Sequence, residues 1–206
     1  MPIFNYNIDK PPADSEVEVI EVIRLKANED YKVKHHSSKE KILIAEGKIL
    51  LRNGDKTRDY NKGDVKEFKN ENPVKIIIAF EKSVIIRVGG NWNNETGSCG
   101  IFELASSGSP KNIGDETDYR RNTDFDNHFH DCDEFWILYE GSGEIVTEGN
   151  RYSIKGGDCV FTKAGIHHDF PIVNKTIKGA WFETSLIGEK REGHLWNHTH
   201  KKGVQN

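Results

Sequence analysis

Apolar residues in this chain fall in short runs or strict alternation, without the 3.6-residue spacing that would mark a helix of about ten to twelve residues. Runs at 18–23, 42–45, 74–80, 84–88 and 100–104 read as strands separated by turn residues. Asn53-Gly54 is a strong two-residue hairpin signal, and Glu148-Gly149-Asn150 reads as a second tip. The pattern predicts an all-β protein with little helix. A polar stretch at 105–118, rich in Ser, Gly, Pro and Asn, is the expected loop between two halves.

The halves repeat. His36, Glu40 and Gly47 stand 94 residues before His130, Glu134 and Gly141, and Gly63 stands 94 before Gly157. Such a fixed offset implies two copies of one β unit, expected at 1–104 and 105–206.

Candidate chemistry concentrates in the second copy, in the stretch 126–141, DNHFHDCDEFWILYEG. On an extended strand, side chains two apart share a face, so His128 and His130 project together. Glu134 can add a carboxylate if the chain turns slightly and continues as a strand. A fourth donor has to come from elsewhere, and His167 and His168 follow Gly165 downstream.

These residues resemble the two motifs of the cupin superfamily. His128, His130, Glu134 and Gly141 fit the first motif, and Gly157, Gly165 and His168 fit the second. Asn122 stands where the first motif has glycine, and Lys163 and Ile172 stand where the second has proline and asparagine; none is a ligand position. The resemblance implies two tandem double-stranded β-helix (jelly-roll) barrels, with His128, His130, Glu134 and His168 as metal ligands in the second. At the same offset the first copy has Lys34 and Val74 in place of His128 and His168, so it is expected to bind no metal. Its His36 and Glu40 read as a surface pair or a hydrogen-bonded remnant. Three imidazoles and a carboxylate suit one divalent transition metal, Fe, Mn, Ni, Co or Zn, with open positions for a small-molecule substrate. The resemblance further implies a metal-dependent enzyme acting on a sugar derivative or a hydroxy or keto acid. Isomerase or epimerase chemistry is the first expectation, a dioxygenase the enzymatic alternative, and a non-enzymatic binding barrel the third reading. Related cupins imply a homodimer.

Around the ligands, Trp136 shares the face of Glu134 and is expected toward the interior, as pocket wall or core. Arg121 can clamp a substrate carboxylate or phosphate. On the last strand Trp181 and Glu183 share a face, with Glu183 a candidate general base, and His167 either lines the pocket or faces away. Asp126, Asp131, Asp133 and Asp169 can orient the imidazoles. The end of the chain carries His194, His198 and His200 near Leu195 and Trp196; it reads as a tail packed on a barrel edge with exposed histidines, or as a lid.

Composition narrows the rest. A net charge of −4 shows no nucleic-acid footprint, and a mean hydropathy of −0.70 with no run of about 18 apolar residues argues against a bilayer span. The first sixteen residues carry acids and prolines in place of an apolar signal core, so a cytoplasmic protein is expected. Three cysteines without Cys-x-x-Cys spacing read as reduced thiols, with Cys132 a small residue in a tight bend between two acids. Motifs for a serine nucleophile elbow, a phosphate loop and a dinucleotide turn are all absent from the sequence.

Overall fold

Alternation along the chain becomes pleat in the computed structural model, which describes residues 2–34, 37–69, 74–111 and 113–200. The strands are β1 (Ile3–Asn5), β2 (Val17–Leu25), β3 (Asp30–Lys34), β4 (Lys39–Glu46), β5 (Lys48–Asn53), β6 (Lys56–Asn61), β7 (Val65–Lys69), β8 (Val74–Ala79), β9 (Ser83–Gly90), β10 (Cys99–Leu104), β11 (Glu134–Thr147), β12 (Asn150–Lys155), β13 (Asp158–Thr162) and β14 (His168–Glu183). One four-residue helix, α1 (Asn197–His200), follows. No helix among the described residues is long and apolar enough to cross a membrane.

The chain divides into two compact units, Tyr6–Trp92 and a second made of Met1–Asn5 with Asn93–Asn206. This corrects the division expected after residue 104. β10 pairs antiparallel with β14, from Cys99 opposite Phe182 to Leu104 opposite Ile177, so it belongs to the second unit. β1 joins the same unit by pairing with β13. The polar stretch from 105 onward is thus a long loop inside the second unit. Polar composition marks a loop but cannot show whether its two ends return to the same sheet.

In the unit Tyr6–Trp92, two four-stranded sheets run in the orders β2-β9-β4-β7 and β3-β8-β5-β6. Ile42, Ile44, Ile49, Leu51, Phe68 and Ile77 pack between them. In the second unit β1-β13-β11-β14-β10 form one sheet, with β12 hydrogen-bonded to β11. Its core gathers Trp136, Leu138, Ile145, Ile154, Phe170 and Ile177. The registers coincide at the repeat offset. Glu134 lies opposite Thr162 and Glu183, and Glu40, 94 residues earlier, lies opposite Phe68 and Gly89, themselves 94 before those partners.

Gly141 interrupts β11 where the strand bends over register shifts with β14. Its φ of 90° lies in the left-handed region, and an added methyl would sit on the Thr176 carbonyl. Gly54 also has positive φ, 59°, but faces open space at the tip of its hairpin. Gly141→Ala is therefore expected to cost about 1–3 kcal/mol from backbone strain plus the clash, and Gly54→Ala about 1 kcal/mol. Chemical denaturation of the two variants checks the order.

Candidate metal centre

Two backbone pairings bring the predicted ligands together. His128 and His168 exchange main-chain hydrogen bonds of 3.2 and 2.9 Å as an isolated bridge, and the Gly165 amide donates to the His130 carbonyl at 2.8 Å. Glu134 opens β11 between β13 and β14. The four side chains are buried, and one donor atom from each lies within 4.8 Å of the others.

The imidazoles are oriented by main chain. Nδ1 of His128, His130 and His168 each lies 2.9 Å from a carbonyl oxygen, those of Asp126, Gly193 and Ile166 respectively. A carbonyl only accepts, so each Nδ1 carries the proton and each Nε2 presents a lone pair. Those lone pairs face one another. Nε2 of His128 and His130 are 3.0 Å apart, and Glu134 Oε2 is 2.8 Å from Nε2 of His168 and 3.5 Å from that of His130. Glu134 Oε2 and His168 Nε2 are buried without a hydrogen-bond partner. Four converging acceptors with no donor are satisfied by a cation. Nitrogen and oxygen donors without thiolate fit a divalent metal.

Protonation favours the same state. Burial, reinforced by His168, His194 and His130, holds His128 far below the ordinary imidazole range. Burial likewise lowers His130 to about 4. For Glu134, burial pushes the carboxyl up, but the imidazoles of His168 and His130 outweigh it and hold the group below its usual value. His128 and His130 thus favour the neutral ring and Glu134 the carboxylate, the forms that bind metal without first losing protons.

Beside the ligands is a cavity of about 220 Å³. Five of its walls are rings, from Phe102, Phe125, Trp136, Phe170 and Trp181. Trp136 stacks on Phe170 at 4.2 Å between centroids, and Phe125 meets both edge-on. Glu134, Glu183, Ser98 and His194 supply the polar side chains. The Trp181 indole donates to Ser98 Oγ at 2.8 Å, Ser98 Oγ donates to Glu183 Oε1 at 3.0 Å, and the Ser98 amide donates to Glu183 Oε2 at 2.7 Å. Burial and the nearby Glu134 raise the Glu183 pKa. Glycine at 97 and 100 lets β10 and the residues before it approach this closely, because a methyl at either would strike the Glu183 carboxylate or the Trp181 ring.

Trp136, Trp181 and Glu183 thus line the cavity. Two expected site residues do not. Arg121 donates to the Phe125 carbonyl at 2.5 Å and to Asp169 at 2.7 Å; Asp169 is fully buried and requires that cation, so Arg121 is not a substrate clamp. His167 faces away from His168, as strand alternation allows, and is bonded to Asp115 at 2.8 Å, which removes it from the candidate catalytic groups. Nor do the four neighbouring acids hydrogen-bond the ligand rings. The nearest is the Asp126 carboxylate, 3.4 Å from His128 Nδ1; Asp131 holds Arg191 and Asp133 holds Lys163. Cys132 is buried, and burial together with Glu183 pushes its thiol up, in keeping with an inert bend residue.

The tail is more than edge packing. Leu195 is buried and pairs with Phe129, and Gly193 supplies the carbonyl that orients His130. His194 stacks on His128 at 3.6 Å and bonds Asp126, whose carboxylate also accepts from the Trp196 indole at 2.9 Å. Asp115 accepts the amides of Asn197 and His198. His194 and His198 are exposed, as expected of the tail histidines, yet His194 also forms part of the cavity wall. In the first unit, Glu40 is fully buried and bonded by Arg87, which excludes a surface pair; His36 lies outside the described residues. Every candidate metal cluster among the described residues belongs to the second unit.

Comparison with known proteins agrees with this geometry. The cupin domain family model matches residues 116–182, which contain all four ligands. The uncharacterized protein y4oW of Sinorhizobium fredii is 35% identical over 193 residues, covering 93% of this chain and 89% of that protein. Among solved structures, oxalate decarboxylase of Bacillus subtilis, a protein with Mn(II) centres, aligns with a TM-score of 0.62 at 9% identity, over 100% of this chain and 81% of that one. AerE of Microcystis aeruginosa aligns at 0.58 and 10% identity, over 85% and 96%. Likeness at that identity speaks for the fold.

Elemental analysis is expected to find about one equivalent of divalent metal per chain and almost none in a His128→Ala/His168→Ala variant. Acid should act on the metal-free protein in a defined direction. Buried His130 resists protonation down to about 4, whereas the unfolded ring takes a proton near 6.5. The unfolded state then holds more protons between those values, so stability is full above 6.5 and falls as the pH drops toward 4. Denaturation midpoints of chelator-treated protein across that window check the sign.

Proposed function

We propose, from the cupin domain matched over residues 116–182 and a donor set that fits a divalent ion, that this chain is a metal-dependent enzyme acting on a small hydroxy or keto acid. The observation that carries the reading is the buried carboxylate of Glu183, which lines the same cavity as the ligand Glu134 and lies opposite it in the sheet. Bound at His128, His130, Glu134 and His168, an ion such as Fe, Mn, Ni, Co or Zn would supply Lewis-acid polarisation of a hydroxy-carbonyl group. Glu183 would take the proton from the carbon that bears the hydroxyl and return it to the former carbonyl carbon, while the hydroxyl proton passes to the former carbonyl oxygen, so that the two groups exchange places with no net redox change. Its raised pKa brings it nearer neutrality, where a general base works best. Ser98 fixes both carboxylate oxygens, leaving the base one orientation toward the cavity. The aromatic walls hold the substrate body and keep water out.

Those walls also favour one substrate class. A sugar needs partners for several hydroxyls, and five aromatic side chains line the cavity beside four polar ones, with Ser98 and the Trp181 indole already bonded to each other. A carboxylic acid with an apolar body fits better. The same cavity supports a second reading, a dioxygenase, because an apolar pocket beside an open metal position also suits dioxygen.

Two tandem barrels remain our reading of the whole chain, with the first as scaffold. It is supported by the identical registers of Glu40 and Glu134 at the 94-residue offset and by Arg87, which stands 94 residues before Trp181 and bonds Glu40.

A panel of hydroxy and keto acids incubated anaerobically with metal-loaded protein is expected to show conversion. Glu183→Gln should lower kcat by about 100-fold or more with metal content unchanged. Full activity in that variant would remove Glu183 from the mechanism. Conversion that requires oxygen and consumes it would select the dioxygenase.

A further inference from the structure

The unit Tyr6–Trp92 holds a cavity of its own, about 320 Å³, between the β5–β6 hairpin and β7. Lys56, Arg58 and Tyr60 share one face of β6, and Lys66 and Phe68 share one face of β7. Tyr60 and Phe68 are buried and form the floor. Three cations surround those rings. Arg58 lies 5.5 Å from the Tyr60 centroid, Lys66 Nζ lies 5.3 Å from that of Phe68, and the fully buried Lys75 places its Nζ 4.2 Å from the same ring. Lys56 lines the cavity beside them.

No carboxylate lines this cavity, and Lys56, Arg58 and Lys66 form no ion pair among the described residues. Solubility alone would be served by spreading such charges, since like charges at the edge of a low-dielectric core repel more strongly than in water. The β unit does not require them either. The residues 94 positions later are Asn150, Tyr152, Val160 and Asp169.

We propose that this cavity binds a small polyanion, a phosphate or a polycarboxylate carrying at least two negative charges. Arg58 offers a planar fork that grips two oxygens at once, Lys56 and Lys66 act as point charges, and Asn53 and Thr57 add polar contacts at the rim. The rings beneath accept any apolar portion of the ligand. Such a site uses none of the metal ligands, so it stands or falls separately from the enzyme reading.

Titration calorimetry at low ionic strength on the full, chelator-treated chain tests it, with inorganic phosphate, pyrophosphate and succinate as probes. One saturable equivalent is expected for at least one probe, and the best probe tells phosphate from dicarboxylate recognition. A Lys56→Gln/Arg58→Gln/Lys66→Gln variant should lose at least tenfold in affinity. A Lys26→Gln/Lys62→Gln/Lys82→Gln variant, which removes the same charge from exposed positions elsewhere in the unit, should bind like the parent. Equal losses in both would mean diffuse attraction and overturn the site, as would no saturable binding of any probe. Should the triple variant misfold by circular dichroism, the exposed single variant Arg58→Gln decides, with Arg58→Lys expected to restore only part of the binding.

Discussion

A buried carboxylate on a central strand has to be given a cation, and both units of this protein are arranged around that demand. Glu134 and Glu40 occupy the same register in β11 and β4. In the first unit the cation is covalent: Arg87, at the position equivalent to Trp181, bonds Glu40 and also reaches Glu21 at 3.1 Å. In the second unit that position is an indole on the cavity wall, and among the described residues no arginine or lysine forms an ion pair with Glu134. Removing charge compensation from a buried group is costly, so three lone-pair nitrogens gathered around Glu134 make sense only with a mobile cation among them. The exchange of Arg87 for Trp181, together with Lys34 for His128 and Val74 for His168, thus separates a filled site from an open one.

Main-chain carbonyls, not side chains, hold the three imidazoles. Asp126 in consequence clamps the tail through His194 and Trp196, while Asp169 secures Arg121 and Tyr119. Aim of the rings then depends on the path of the backbone at Asp126, Ile166 and Gly193, which the β pairings and the tail contacts fix together. A site held this way tolerates side-chain change nearby but not a shift of chain.

The ligands were legible because their chemistry is local. His128, His130 and Glu134 sit within seven residues of one another, and strand periodicity alone places the two histidines on one face. The cavity walls were not, because Ser98 meets Glu183 across 85 residues and His194 meets Asp126 across 68. Pairing partners at such distance leave no periodic trace. The same blindness misassigned Arg121, whose buried partner Asp169 lies 48 residues away, and misplaced the boundary between units, since nothing local in Ile3–Asn5 announces that it will pair with β13. β2, β4, β8, β9 and β10 followed from alternation, and both hairpins lie where turn residues marked them, although the first loop is Gly54-Asp55, with Asn53 still in β5 opposite Lys56.

The connectivity has a temporal side. β1 is made first but must wait for β13, and His130 is aimed by a carbonyl that is translated 63 residues after it. On the ribosome, Tyr6–Trp92 can close while strands of the second unit are still being made, whereas that second unit cannot be finished until Gly193 has emerged. Capture of an ion by this donor set would therefore come late in synthesis, since a nascent chain stalled before that glycine carries all four donor residues yet lacks the carbonyl that aims His130.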